Sequence, residues 1–139
     1  DERRLRSAGE VDGNGLAEAQ FGCAELRPEW INPVLDAALV RLDGRPGESF
    51  GMTDLASAAD TVAPSELFIV QHPGDEGKKV SYKDCAVTRL PANGRGPDTD
   101  FTHTCDTASG SSGSPVYDLE GRLVGLHHFG FEDSGAPDG

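Results

Sequence analysis

Short runs of alternating or continuous apolar residues recur through the second half of the chain, each bounded by turn residues. Alternation with a period of two is typical of β-strands with one buried face, and short apolar runs between Gly, Pro and Asp are typical of buried strands. The runs lie, in chain order, at 67–70, 79–82, 85–88, 101–105, 114–117 and 123–127. Many short strands at such spacing predict an all-β fold, either a sandwich or a barrel.

The first half of the chain is less regular. Its first two dozen residues are polar and rich in Gly, with no clear period. The apolar run Val34–Leu42 stands between Asn32-Pro33 and Asp43-Gly44. A helix and a buried strand both fit the run, and the turn residues on either side favour the strand. We interpret residues 44–65 as a linker with one short helical turn.

Charge and composition exclude several classes of protein. Among 139 residues, 24 acidic and 12 basic side chains give a net charge of −12, which argues against a nucleic-acid partner because phosphates would be repelled. No run of 18 apolar residues is present, so no membrane-spanning helix is expected. Three Cys with no Cys-x-x-Cys pair make a structural zinc site an improbable interpretation, and we expect neither metal nor cofactor.

The segment Asp106–Val116 contains the sequence Ser-Gly-Ser-Ser-Gly-Ser-Pro. Such a stretch is compatible with a flexible linker. However, it stands between two strand patterns, and Gly residues on both sides of a Ser permit backbone angles that turn successive N–H groups toward one point. Acyl-transfer enzymes need such an arrangement to bind a developing oxyanion.

The segment Gly110–Pro115 resembles the nucleophile loop of chymotrypsin-like serine endopeptidases, Gly-x-Ser-Gly-[Gly/Ser]-Pro. The following strand pair, 116–128, is also similar to that family, most of all to its bacterial glutamyl-endopeptidase-like branch. The resemblance extends from about Asn32 to Gly130 and implies an all-β, trypsin-like double β-barrel. Residues 1–62 would be the end of the first barrel and the linker, and residues 63–139 most of the second barrel, truncated at its C-terminal end.

The resemblance implies a role for each residue of the loop. Ser112 would be the nucleophile that forms an acyl-enzyme, and the main-chain N–H groups of Gly110 and Ser112 would form the oxyanion hole. Ser109, Ser111 and Ser114 are alternative hydroxyls, but only Ser112 has the flanking residues of the motif. The implied activity is hydrolysis of peptide bonds in a peptide or protein substrate. Because many members of this branch are exported, a secreted or periplasmic location is favoured.

Asp36 begins a segment that resembles the family's Asp-[Ile/Phe/Val]-Ala-Leu strand, which implies that it orients the catalytic histidine. In the family that histidine precedes the acid, whereas all four histidines of this chain follow Asp36: His72, His103, His127 and His128. We therefore expect an internal fragment of a larger protease domain that is inactive in isolation. A non-catalytic homologue that binds peptides is the alternative, and a small structural β-barrel is a more distant one.

The substrate pocket is less well defined by the resemblance. His127 and Thr107 match positions that line the pocket of the glutamyl-endopeptidase branch, and such an imidazole accepts a carboxylate. Asp106 occupies the position of the acid that selects basic residues in trypsin, so the specificity stays open. A structural hydrogen bond is an equal alternative for His127. Cys85 and Cys105 lie on two strand-like runs of the second barrel and are a candidate disulfide.

Overall fold

The computed structural model describes residues 21–63 and 65–130. Strands dominate this part of the chain, and helix is confined to α1 (Pro46–Phe50) and three short 3₁₀ turns. The all-β prediction is therefore confirmed. The strands are β1 (Cys23–Glu25), β2 (Ile31–Asn32), β3 (Ala37–Ala38), β4 (Arg41–Leu42), β5 (Leu67–Gln71), β6 (Lys79–Ser81), β7 (Val87–Ala92), β8 (Asp100–His103), β9 (Pro115–Asp118) and β10 (Leu123–Leu126). The 3₁₀ turns are Pro28–Trp30, Leu55–Ser57 and Pro73–Asp75.

The described residues group into two compact units. The first contains residues 21–56 and 89–102, and the second contains residues 57–63, 65–88 and 103–130. None of the helices within the described ranges has the length and apolar character needed to cross a membrane.

The second unit is built on a four-stranded antiparallel sheet with the order β10-β9-β5-β6. The alternation of β5 buries Leu67 and Ile69, and Ile69 pairs with Val116 of β9. All three side chains are fully buried, so they form the centre of the core. On the other side of the same strands Phe68 stacks on Tyr117 with ring centroids 5.1 Å apart. The period-two pattern thus predicts both faces of the central pair correctly.

A disulfide joins Cys85 to Cys105 in the second unit. Both cysteines are buried, and Val87 beside them is almost completely buried. The disulfide therefore attaches the segment that precedes the Asp106–Val116 loop to the core of its unit. Cys23, on β1 of the first unit, is an exposed free thiol.

The first unit differs from the sequence prediction between Asn32 and Leu42. Instead of one strand over Val34–Leu42, residues 33–36 form a turn, and only the two-residue strands β3 and β4 follow. The Asn32 side-chain oxygen accepts the N–H groups of Val34 and Leu35, both at 3.0 Å. This local hydrogen bonding competes with strand formation, so the turn that starts at Asn32-Pro33 extends to residue 36.

The segment interpreted as a linker with one short helical turn, residues 44–65, contains α1 and one 3₁₀ turn among its described residues. Pro46 begins α1, where its missing N–H costs no hydrogen bond, and Gly51 ends the helix with a φ of +81°. The single turn Leu55–Ser57 follows.

Candidate active site

The loop between Asp106 and Pro115 owes its shape to two glycines. Gly110 has a φ of +97° and Gly113 a φ of +88°, which are backbone conformations that L side chains rarely adopt. Two main-chain hydrogen bonds close the turns that contain these glycines: Ser111 N–H donates to the Ala108 carbonyl at 3.0 Å, and Ser114 N–H donates to the Ser111 carbonyl at 3.1 Å. The Gly-Ser repeat is therefore an ordered double turn.

The serine hydroxyls of this loop lie in different environments. Ser111 is 0 % exposed, and its Oγ accepts a main-chain N–H from the same loop at 3.2 Å. Ser114 is also buried, whereas Ser109 and Ser112 are exposed. Ser112 Oγ donates a long hydrogen bond of 3.4 Å to the carbonyl of His128. Of the two inner serines, only Ser112 presents its hydroxyl to solvent.

The main-chain N–H groups of Gly110 and Ser112 belong to the same double turn as the Ser112 side chain. Within residues 21–63 and 65–130, neither the Gly110 N–H nor the Ser112 N–H donates to a protein acceptor. Both amides are thus available to an oxygen atom brought next to Ser112. Main-chain N–H groups that are turned toward one point can stabilise a negatively charged oxygen.

His127 follows β10 and is hydrogen-bonded to the loop through its main chain. The Gly113 N–H donates to the His127 carbonyl at 2.6 Å, and the His127 N–H donates to the Ser114 carbonyl at 2.8 Å. These bonds lie on either side of the peptide that joins Gly113 to Ser114. The end of β10 therefore holds the residues directly after Ser112.

The ring of His127 lies against the ring of His103, with Nδ1 of the first 3.1 Å from Nε2 of the second. The Cys105 N–H donates to His103 Nδ1 at 3.2 Å. Burial, followed by repulsion from His127, lowers the pKa of His103 to about 4. Burial, followed by repulsion from His128, lowers the pKa of His127 as well. Both rings are therefore neutral at pH 7.

No group of three or more His, Cys, Asp or Glu side chains in the described part of the chain has the geometry to hold a metal ion. The two adjacent histidines, His127 and His128, differ in burial, since His127 is 8 % exposed and His128 is half-buried.

Asp106 and Thr107 begin the loop and are held by a residue that the sequence prediction did not single out. Gln71 Nε2 donates to the Asp106 carbonyl at 2.7 Å, and Gln71 is only 4 % exposed. Gln71 follows Leu67 and Ile69 on the inward face of β5. The polar Gln71 at an inward-facing position of β5 was the feature of the sequence that could have indicated this role. The Asp106 side chain is exposed, and Thr107 is half-buried.

A cavity of about 370 Å³ adjoins the loop. Gly110 and Ser112 line one side, and His72 and Lys78 line another. The Gly74 N–H donates to the Ser109 carbonyl at 2.7 Å, which attaches the turn after β5 to the loop. His72 precedes the 3₁₀ turn Pro73–Asp75 and also borders the cavity next to Ser112.

Asp36 belongs to the first unit, whereas Ser112 belongs to the second. It ends the turn before β3 with a φ of +51°, in the left-handed region that Asp tolerates better than most residues. Its Oδ1 lies 3.0 Å from Arg95 Nη2. Asp36 is thus an exposed, ion-paired carboxylate in the first unit.

A family model described as Trypsin-like peptidase domain matches residues 7–126. The pro-apoptotic serine protease nma111 of Aspergillus oryzae is 30 % identical over 123 residues, covering 82 % of this chain and 12 % of that protein. The uncharacterized protein y4fB of Sinorhizobium fredii is 30 % identical over 117 residues, covering 83 % of this chain and 16 % of that protein.

The pro-apoptotic serine protease nma111 of Aspergillus clavatus is 29 % identical over 145 residues, covering 98 % of this chain and 14 % of that protein. This chain therefore spans only a small part of the length of the curated relatives that it matches. No solved structure matches it. The match to the family model covers most of the sequence, and the chain belongs to the trypsin-like peptidase domain family.

Proposed function

We propose that the chain carries the nucleophile of a serine endopeptidase, which hydrolyses peptide bonds of a peptide or protein substrate through an acyl-enzyme. One observation carries the proposal above all: the hydroxyl of Ser112 is exposed in a double turn whose Gly110 and Ser112 amides donate to no protein acceptor within the described residues. Membership of the trypsin-like peptidase family supports it further.

In the proposed reaction, Ser112 Oγ attacks the carbonyl carbon of the scissile amide and gives its proton to a histidine. The carbonyl oxygen becomes an oxyanion that accepts hydrogen bonds from the Gly110 and Ser112 amides. Collapse breaks the C–N bond, and the histidine protonates the leaving amine. Water, which gives a proton to the same histidine, then attacks the carbonyl carbon of the acyl-enzyme. The ester bond to Ser112 Oγ breaks, the histidine returns the proton to Ser112, and the carboxylic acid product leaves.

The general base is proposed to be a histidine outside these 139 residues. All four histidines of the chain follow Asp36, whereas the family places the base before the acid. Ser112 Oγ is hydrogen-bonded to a carbonyl and to no imidazole among the described residues. Asp36 is proposed to orient that histidine. On this proposal, residues 1–62 belong to the first barrel and the linker, and residues 63–139 belong to the second barrel.

A more specific proposal concerns which substrate side chain is bound directly before the cleaved bond. In a pocket like that of glutamyl endopeptidases, His127 and Thr107 would bind a carboxylate. Support comes from the attachment of His127 to the loop and from the half-buried position of Thr107. Because the pKa of His127 is lowered, the ring would act as a hydrogen-bond donor unless the substrate carboxylate itself raises that pKa. The exposed Asp106 carboxylate is the feature that would instead favour a basic substrate.

The test is peptide hydrolysis by the full-length natural polypeptide, with Ser112→Ala and the matched control Ser109→Ala. We expect Ser112→Ala to lower kcat/KM by about 10⁴-fold or more. We expect Ser109→Ala to stay within a few-fold of wild type, since Ser109 is exposed and contributes only its carbonyl. Equal activity of wild type and Ser112→Ala contradicts the proposal. Matched peptides with Glu, Lys or Phe before the cleaved bond decide the specificity, and a preference for Lys overturns the carboxylate pocket.

A peptide-binding module without turnover is the second candidate. The hydrogen bond of Ser112 to a carbonyl rather than to an imidazole favours it. Full-length protein that binds peptides in isothermal calorimetry, and that neither hydrolyses them nor loses binding in Ser112→Ala, would establish this alternative.

A further inference from the structure

We infer that His103 is a positioning residue for the proposed acyl transfer, because its hydrogen bond to His127 completes a brace between the two ends of the nucleophile loop. The brace is defined here as Cys105 N–H, the rings of His103 and His127, and the main chain of His127. Its role in turnover rests on the proposed function, whereas its geometry does not.

The hydrogen bonds of the brace determine which ring nitrogens carry protons. A main-chain N–H is always a donor, so the bond from Cys105 requires an unprotonated Nδ1 on His103. Neutral His103 then carries its proton on Nε2 and donates it to His127 Nδ1 at 3.1 Å. His127 in turn is neutral with its proton on Nε2. With one tautomer of each ring, both hydrogen bonds of the brace have one donor and one acceptor.

The brace connects the beginning of the loop to its end. Cys105 immediately precedes the loop and is attached to the core through its disulfide with Cys85. At the other end, the His127 main chain bonds to Gly113 at 2.6 Å and to Ser114 at 2.8 Å. Ser112 lies between these two anchors. Loss of the link between the rings would leave a buried imidazole without its partner and would free the end of the loop to shift.

An additional proton has no place in this arrangement. A proton on His127 Nδ1 would face the Nε2–H of His103, and a proton on His103 Nδ1 would face the Cys105 N–H. If the proton of His103 moves from Nε2 to Nδ1 to make room for one on His127, two donors face each other at Cys105 instead. Among the described residues, the titratable neighbours are the two rings themselves, His128, which acts on His127, and Asp106, which follows Cys105 with an exposed side chain. Acid is therefore expected to break the brace.

Two variants separate the bonds that His103 makes. His103→Gln retains a donor near the position of Nε2 and cannot titrate, whereas His103→Asn retains an acceptor near Nδ1 and is too short to reach His127. In the full-length polypeptide at pH 8, we expect His103→Asn to lower kcat by about 10- to 100-fold with little change in KM, since small misplacements of reacting groups have such effects. We expect His103→Gln to recover most of that loss.

Nuclear magnetic resonance of histidine, glycine and serine labels supplies a readout that needs no turnover. We expect both rings as Nε2–H tautomers at pH 7, with the Gly113 and Ser114 amide signals displaced in His103→Asn and nearly native in His103→Gln. If the wild type hydrolyses no peptide, these signals still decide the inference while the proposed function fails separately. An Nδ1–H tautomer on His127, unchanged loop amides in His103→Asn, or equal kcat for the two variants would overturn the inference.

Discussion

Ser111 and Ser112 are adjacent in the chain, yet only one of the two hydroxyls is accessible to a substrate. Ser111 is fully buried and accepts a main-chain hydrogen bond, so it supports the loop. Ser112 is exposed, and its only hydrogen bond from the hydroxyl within the described residues goes to the His128 carbonyl. The resemblance to the motif Gly-x-Ser-Gly selected Ser112 by its flanking residues alone, and the positive φ values of Gly110 and Gly113 shape the turns in which both serines lie.

Asp36 offers a test of the proposed triad by a change that preserves the backbone. Asn tolerates the left-handed conformation as well as Asp does, so Asp36→Asn keeps the turn before β3. We expect kcat of the full-length polypeptide to fall by about 10⁴-fold, because an amide cannot hold the catalytic histidine in the correct tautomer.

The matched control for Asp36→Asn is Arg95→Gln, which removes only the ion pair at 3.0 Å. Both partners are substantially exposed, and such pairs contribute about 0–1 kcal/mol. We expect Arg95→Gln to change kcat by less than a few-fold. Similar losses in the two variants would contradict the assignment of Asp36.

Other site features depend on tertiary register and were not predictable from the sequence. The pairing of His103 with His127 brings together residues 24 positions apart, one at the end of β8 and the other directly after β10. Gln71 acts on Asp106 across 35 positions. Short-range patterns carry no information about such contacts, whereas the nucleophile loop is defined by consecutive residues.

The central strands of the second unit were predictable because each has one buried face and clear turn residues at its ends. β5 and β9 show this directly, with buried side chains at alternate positions. The run Val34–Leu42 was not predictable in the same way. Its apolar residues fit a strand, but the side chain of Asn32 stabilises a turn over its first residues. A single polar side chain outweighed the apolar pattern.

The β9–β10 hairpin depends on Asp118, at the end of β9. Its Oδ1 accepts the N–H groups of Glu120 and Arg122, and its Oδ2 accepts the Arg122 guanidinium at 2.7 Å. Desolvation alone would raise the pKa of Asp118, but the hydrogen bonds and charge of Arg122 lower it overall. The carboxylate therefore stabilises the fold above its unfolded pKa, and this contribution disappears as the pH falls through the lowered value.

We accordingly expect Asp118→Asn to lower the Tm at pH 7 by several degrees, measured by calorimetry. Glu120→Gln is the matched control, since Glu120 is exposed in the same turn. Its Tm should remain within about one degree of wild type, because exposed surface substitutions have small effects. A control as destabilised as Asp118→Asn would show that the hydrogen bonds of Asp118 are not the cause.

Acid sensitivity of the folded protein is expected from the histidine pair. The pKa of His103 is about 4 in the folded state, against 6.5 as its ordinary value. Between these two values the unfolded chain binds a proton that the folded protein does not, so stability falls with falling pH from about 6.5 to about 4. After allowance for partial exposure, the loss for His103 is on the order of 2 kcal/mol.

The measurement is urea denaturation of wild type and His103→Gln at pH 7 and at pH 4.5. The 24 acidic residues also begin to titrate as the pH falls. Because His103→Gln keeps them, comparison with this variant removes their contribution to the change in the free energy of unfolding. The free energy of unfolding should fall more steeply for wild type. Parallel pH dependence in the two proteins would contradict the account of the buried pair.

Fluorophosphonate labelling of the full-length natural polypeptide, followed by peptide mapping, tests whether Ser112 is an activated nucleophile. We predict a single phosphonylated serine at position 112, formed in the wild type and absent from Ser112→Ala, with Ser109→Ala labelled like wild type. Labelling that persists in Ser112→Ala, or folded full-length protein that shows no label at Ser112, would contradict the assignment.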